Sequence, residues 1–344
     1  MLKPARLREG DAIAVLSPSW GGPSVFPHVF DLGLRNLESV FGLRIKEFPT
    51  ARAADNLIYQ NPKMRAEDLN RAFADPEVKG IVTSIGGDDS VRILPFLDLH
   101  TILANPKILM GFSDTTTLTS YLSWHGLVTF NGPSVMAGFA QLRHLPASFG
   151  EHIRQMLMVG PPALEYHPYD GWTNRYLPWE TPGYAGETAP LEPNEGWRWL
   201  QGAELAQGRL FGGCIDVLEF LKGTRFWPPA EFWPGKILFF ETSEEIQAVA
   251  PVKYMLRNYG SMGVFDKVEA LLFGRARNYS PAQNEEYFET IVKVVAGEFG
   301  RHDLPIVANM DFGHTDPQWI LPLGAMAELD CERRRFRLLE SAVA

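Results

Sequence analysis

The nonapeptide Lys107-Ile108-Leu109-Met110-Gly111-Phe112-Ser113-Asp114-Thr115 joins a short apolar run to the amphipathic stretch Thr115 to Trp124 through a glycine. An apolar run this short, bounded by turn residues, reads as a buried strand, and the segment after it reads as a helix. Ser113 then stands on the strand-to-helix turn, where a hydroxyl is lifted out of the sheet and the first N–H groups of the helix are free to meet an anion. Gly-x-Ser-Asp departs from the Gly-x-Ser-x-Gly elbow of many hydrolases, and Ser113 or Asp114 would equally serve as a helix cap.

The same alternation extends outward on both sides. Upstream, Ala12 to Leu16, Arg44 to Phe48 and Gly80 to Ser84 read as strands, and Val29 to Val40, Lys63 to Phe73 and Val91 to Leu97 as helices; Leu127 to Phe130 follows as a strand. The pattern predicts an α/β fold with a largely parallel sheet covered by helices on both faces. In such sheets the ligand crevice lies beyond the carboxyl ends of the strands. Between about Gly138 and Gly208 the rhythm gives way to proline, glycine and tryptophan, as in Pro178-Trp179 and Gly196-Trp197-Arg198-Trp199, which reads as a connection carrying loops.

Regular structure resumes with a helix over Cys214 to Leu221, strands at Lys236 to Phe240, Ala270 to Phe273 and Ile306 to Asn309, and helices at Val249 to Tyr259 and Glu285 to Glu298. The expected partition is an N-terminal α/β domain over 1–140, a connecting segment over 141–207 and a C-terminal α/β domain over 208–344. A chain of 344 residues fits two cores better than one.

Composition narrows the function. With 45% hydrophobic and 21% charged residues the chain reads as soluble and globular. A net charge of −9, and no basic run longer than Arg333-Arg334-Arg335, argue against nucleic-acid polymers and anionic membranes as partners. No run approaches the roughly 20 apolar residues of a membrane span, so the default location is the cytoplasm. Cys214 and Cys331 form neither a disulfide framework nor a Cys-x-x-Cys pair. No motif supplies a metal-ligand set, and no Gly-Lys-Ser/Thr follows Gly86-Gly87, so neither a catalytic metal nor a cofactor is expected.

A serine nucleophile needs a base. His314, in Asp311-Phe312-Gly313-His314-Thr315-Asp316-Pro317, follows the strand at Ile306 to Asn309, where it would act as a base or stabilise a turn. Glu241 follows Lys236 to Phe240 directly and could orient His314, or belong to an acidic surface with Glu244 and Glu245. Gly86-Gly87-Asp88-Asp89 follows another strand, and its small residues let backbone approach a ligand. Gly87 and Asp114 are the expected N–H donors to an oxyanion.

These segments, together with Gly212-Gly213-Cys214-Ile215-Asp216, Leu221-Lys222-Gly223-Thr224 and Phe240-Glu241-Thr242-Ser243, resemble the LD-carboxypeptidase and microcin C immunity family of serine peptidases. The resemblance runs through nearly the whole chain. It implies Ser113, Glu241 and His314 as nucleophile, orienting acid and base, a flavodoxin-like N-terminal domain, a smaller swivelling C-terminal domain, a site between them and a homodimer. The Gly-Gly-Asp-Asp loop, the Gly-Gly-Cys-Ile run and the tryptophan-rich segment are more similar to the immunity branch, which implies hydrolysis of a peptidyl- or aminoacyl-nucleotide amide. Asp88 and the tryptophans Trp197 and Trp199, the latter as nucleobase platforms, are then expected substrate contacts. Removal of D-alanine from a murein tetrapeptide is the alternative; it calls for a cation on the free carboxylate, with Lys222, Arg275 or Arg277 as candidates. A non-catalytic small-ligand binder on the same two-domain frame is the remaining possibility.

Overall fold

A computed structural model describes residues 1–344, the side chain of Pro182 excepted. Five segments of the first 131 residues become parallel strands: β1 (Ala12–Leu16), β2 (Arg44–Glu47), β3 (Val78–Thr83), β4 (Ile108–Gly111) and β5 (Thr129–Asn131). They lie in the order β2-β1-β3-β4-β5. That is the flavodoxin-like winding, and its switch point falls between β1 and β3. β1 and β4 are buried along their whole length, as central parallel strands with two covered faces must be, whereas Arg-Ile-Lys-Glu in β2 is the half-exposed edge. The helix Pro27–Phe41 starts on a proline and stops at Gly42, in the left-handed conformation at φ 66° that favours glycine there.

The segment after β5 is more ordered than its composition suggests. It holds a helix over Ala147–Arg154 and the short strands β6 (Leu164–Tyr166), β7 (Gly171–Trp172), β8 (Glu192–Pro193) and β9 (Arg198–Gln201). Then come β10 (Leu205–Cys214), β11 (Lys236–Glu241), β12 (Ala270–Gly274) and β13 (Ile306–Met310), four parallel neighbours, followed by β14 (Leu321–Leu323), β15 (Met326–Asp330) and β16 (Arg335–Leu338). The second sheet runs β6-β16-β15-β10-β11-β12-β13-β9, so strands from the connecting segment close both of its edges. β14 crosses back to pair antiparallel with β5 of the first sheet, Leu321 opposite Asn131.

The helix expected over Cys214 to Leu221 shortens to Ile215–Leu218, because Cys214 is still in β10, paired with Glu241 of β11. Apolar side chains from both sheets form one contiguous core. Among the described residues, no helix is long and apolar enough to cross a membrane.

Candidate active site

The turn after β4 puts Ser113 at φ 58°, a left-handed conformation that costs a residue with a Cβ about 1–3 kcal/mol and is held only where the surroundings enforce it. They do so here through the next residue. The buried Asp114 carboxylate accepts a hydrogen bond from Ser90 N at 2.8 Å, and Ser90 Oγ donates to the Asp114 carbonyl at 2.7 Å. Asp114 therefore does not cap its own helix; it fastens the β4 turn to the loop after β3. A Cβ placed on Gly86 in that loop would lie 2.8 Å from Ser113 Cβ and 3.0 Å from its Oγ, so only glycine can pass over the serine at this distance. The backbone N–H groups of Gly87 and Asp114 find no hydrogen-bond acceptor among the described residues.

The glycine loop is itself anchored by a residue that no motif marks. Buried Arg65 grips Asp89 with two hydrogen bonds, 2.6 and 3.0 Å, and donates to Pro18 O at 3.0 Å. One guanidinium thus ties together the loops after β1 and β3, the two sides of the switch point.

From the other sheet, Glu241 ends β11 and His314 lies on the loop after β13, both buried. His314 Nδ1 is 2.6 Å from Glu241 Oε2. Gly313, at φ 96°, lets the loop pass beside the carboxylate, since a Cβ there would meet Glu241 Cβ at 2.5 Å. The imidazole packs edge-on against Phe112, ring centroids 5.0 Å apart. Burial pulls the His314 pKa down, but the charge and hydrogen bond of Glu241, with Glu244 behind them, more than offset this, so the imidazole titrates above its ordinary value. Its Nε2 lies 3.4 Å from Glu244 Oε2, and Ser113 Oγ has no hydrogen-bond partner among the described residues.

Ser113 and His314 face one cavity of about 710 Å³, within the range of small-molecule sites. Gly86, Gly87 and Asp88 line it from the loop after β3, and Asp216 and Glu244 from the ends of β10 and β11. Trp179 and Tyr176, from the connecting segment, close it. Trp179 meets Phe26 edge-on at 5.6 Å, and Phe26 meets Trp20 at 6.1 Å, forming an aromatic wall. Arg277 lies over the Tyr176 ring at 3.9 Å.

Four expected substrate contacts, Trp197, Trp199, Arg275 and Lys222, do not line this cavity. Trp197 donates through Nε1 to Asp311 Oδ2 at 3.1 Å and packs edge-on against Trp319, while Trp199 stands in β9 opposite Val307; neither lines the cavity. Arg275 is buried in an ion pair with Asp311 at 2.5 Å and also donates to Asn194 Oδ1 at 2.7 Å. Lys222 is buried against Glu219, with its ammonium 3.6 Å from the centre of the Tyr259 ring. Trp197, Lys222 and the two terminal nitrogens of Arg275 already have partners inside the protein. Arg275 and Trp197 brace Asp311, three residues before His314, from behind.

Among the described residues, one trio could offer metal ligands: Cys214, Glu241 and His314, with one donor atom each within 4.8 Å of the others. Burial, and then the Glu241 and Asp216 carboxylates, push the Cys214 thiol well up, away from the thiolate that a metal requires.

Comparison with known proteins agrees with this architecture. The LD-carboxypeptidase N-terminal domain matches residues 13–132 and the corresponding C-terminal domain matches residues 207–329. A putative carboxypeptidase of Vibrio cholerae is 28% identical over 340 residues, 98% of each chain. The microcin C7 self-immunity protein MccF of Escherichia coli is 29% identical over 286 residues, 81% of this chain and 78% of its own. Among solved structures, an MccF-like protein from Streptococcus pneumoniae in complex with AMP superposes with a TM-score of 0.86 at 29% identity, covering 96% of this chain and 98% of the other. MccF in complex with glutamyl sulfamoyl guanosine gives 0.86 at 25% identity over the full length of both. With both family domains matched across most of its length, the chain belongs to the LD-carboxypeptidase family of serine peptidases.

Proposed function

We propose that this serine peptidase hydrolyses the amide-type bond between an aminoacyl or peptidyl group and a nucleotide-like leaving group, with Ser113, His314 and Glu241 as its catalytic triad. The observation that carries this reading is the 2.6 Å contact between His314 Nδ1 and Glu241 Oε2 at the wall of the cavity that Ser113 enters from the opposite sheet. Glu241 holds the Nδ1–H tautomer, leaving Nε2 to take the Ser113 proton as Oγ attacks the carbonyl. The free N–H groups of Gly87 and Asp114 receive the charge that develops on the carbonyl oxygen. The proton on Nε2 then passes to the leaving nitrogen, and water, deprotonated by the same imidazole, releases the acyl group from Ser113.

The leaving group would lie on the wall of Trp20, Phe26 and Trp179, since a nucleobase stacked on an aromatic ring gains about 1–3 kcal/mol. The nucleotide ligands of the similar MccF structures support this choice. A Bacillus subtilis protein named as a probable murein peptide carboxypeptidase, 27% identical over 95% of this chain, supports a second reading in which Arg277 receives the free carboxylate of a terminal D-amino acid. Incubation with an aminoacyl sulfamoyl adenosine and with a murein tetrapeptide, products identified by mass spectrometry, separates the two: release of sulfamoyl adenosine is expected, and release of D-alanine alone would favour the second.

A further inference from the structure

The cavity that holds Ser113 is strongly one-signed. Asp88, Glu180, Asp216, Glu244 and Glu245 line it, and among the described residues Arg277 is the one arginine or lysine that does. These carboxylates differ in what they are free to do. Asp216 is engaged by Ser243, whose Oγ donates to it at 2.6 Å and whose N donates at 3.2 Å. Glu244 makes no hydrogen bond among the described residues; it rests between Arg277 Nη1 at 3.7 Å and His314 Nε2 at 3.4 Å, with about half of its side chain exposed. Arg277, which is also stacked on Tyr176, is at 3.7 Å the one arginine or lysine that Glu244 meets among the described residues, and no hydrogen bond joins the two.

Its place beside Nε2 has two consequences. A carboxylate there lies next to the carbonyl that Ser113 would attack, within reach of a cation carried close to that carbonyl. While it stays, it also favours a proton on Nε2, the state in which that nitrogen cannot accept the serine proton.

We propose that Glu244 recognises a cationic group on the acyl half of the substrate, and that in pairing with it Glu244 ceases to hold an imidazolium at His314 Nε2, leaving that nitrogen able to accept from Ser113. The inference rests on the amidase reading above and adds the charge of the group it accepts. Two sources share the chemistry: the α-ammonium of a free aminoacyl group, two bonds from the scissile carbonyl, and the side chain of a lysyl or arginyl residue. An ammonium–carboxylate hydrogen bond is worth about tenfold or more in affinity. MccF has been seen with aspartyl sulfamoyl adenosine bound; an acidic acyl group is the kind this cavity would disfavour.

The test compares hydrolysis of leucyl, N-acetyl-leucyl, lysyl and aspartyl sulfamoyl adenosine by the wild-type protein and by Glu244→Gln, with circular dichroism confirming that the half-exposed substitution leaves the fold intact. Wild type is expected to favour a cationic substrate at least about tenfold in kcat/KM. If the gap separates leucyl from N-acetyl-leucyl the cation is the α-ammonium; if it separates lysyl from leucyl it is the side chain. Glu244→Gln should close the gap and move the acid limb of the rate profile to lower pH. That limb reports an imidazole faced by Glu241, Glu244, Arg277, Asp316 and Cys214, of which the variant changes one. Equal rates across both pairs, or an unchanged gap in Glu244→Gln, would overturn the inference while leaving the amidase reading standing. Hydrolysis of none of the four by wild type would instead overturn that reading, and this inference with it.

Discussion

Glu241 Oε2 and His314 Nδ1, from the ends of two strands of the second sheet, stand 2.6 Å apart in a buried contact, and the turn carrying Ser113 comes from the first sheet to the same cavity. Ser113 and the Glu241–His314 pair therefore belong to different sheets, so in the proposed triad the reacting geometry depends on how the two are held together.

Glu241→Gln keeps the shape of the side chain and removes the charge that stabilises an imidazolium and selects the tautomer. Hydrolysis is expected to fall by about 10²- to 10⁴-fold in kcat with KM little changed. Steady-state kinetics check this, and a loss confined to KM would contradict the orienting role.

The raised imidazole pKa carries a sign for both activity and stability. Ser113 needs neutral His314, so kcat/KM should fall on the acid side with a midpoint above the ordinary value of about 6.5. Folded His314 holds its proton more tightly than unfolded histidine, so its contribution to stability is complete below about pH 6.5 and is lost as pH rises through the raised folded value. The melting temperature of wild type relative to His314→Gln should therefore shrink from pH 6 to pH 9, over the range where activity is gained.

Arg65→Met removes the buried clamp on Asp89 while roughly preserving volume. Truncating one partner of a buried ion pair costs about 3–5 kcal/mol, and Arg92, which donates to Asp89 Oδ2 at 2.7 Å, should hold the loss to the lower end. Urea unfolding measures the loss. Activity should drop as well, since the Gly86-Gly87 loop loses its anchor.

Two tryptophans of the connecting segment should separate by kinetic signature. Trp179→Ala is expected to raise KM for a nucleotide-linked substrate by roughly 5- to 150-fold, the equivalent of one lost stacking contact. Trp197→Phe loses a hydrogen bond to the buried Asp311 carboxylate and should lower stability by about 1.5–3 kcal/mol with no selective effect on KM. Thermal melts alongside substrate titrations distinguish the two.

That contrast marks the limit of what could be read in the sequence. Trp179 and Trp197 stand in equally proline- and glycine-rich surroundings; what assigns one to the cavity and the other to the scaffold is Asp311, 114 residues beyond Trp197. Arg65 and Asp89, and Arg275 and Asp311, are likewise partners only in three dimensions, and nothing local to any of them signals the pairing. Ser113, Glu241 and His314 were legible because each follows an apolar run long enough to be a central strand, and the parallel fold gathers such strand ends on one side. β6, β9 and β14 were not, because three or four residues make no period, and their hydrogen-bond partners are strands 105 or more residues away.

The proposed chemistry depends most directly on Ser113 as the nucleophile. Intact-mass spectrometry after incubation with a fluorophosphonate should show one covalent adduct, mapped by peptide sequencing to Ser113 and absent from Ser113→Ala, with hydrolysis of an aminoacyl sulfamoyl adenosine lost in step. Full hydrolysis by a Ser113→Ala protein, or an adduct on another residue that tracks activity, would contradict it.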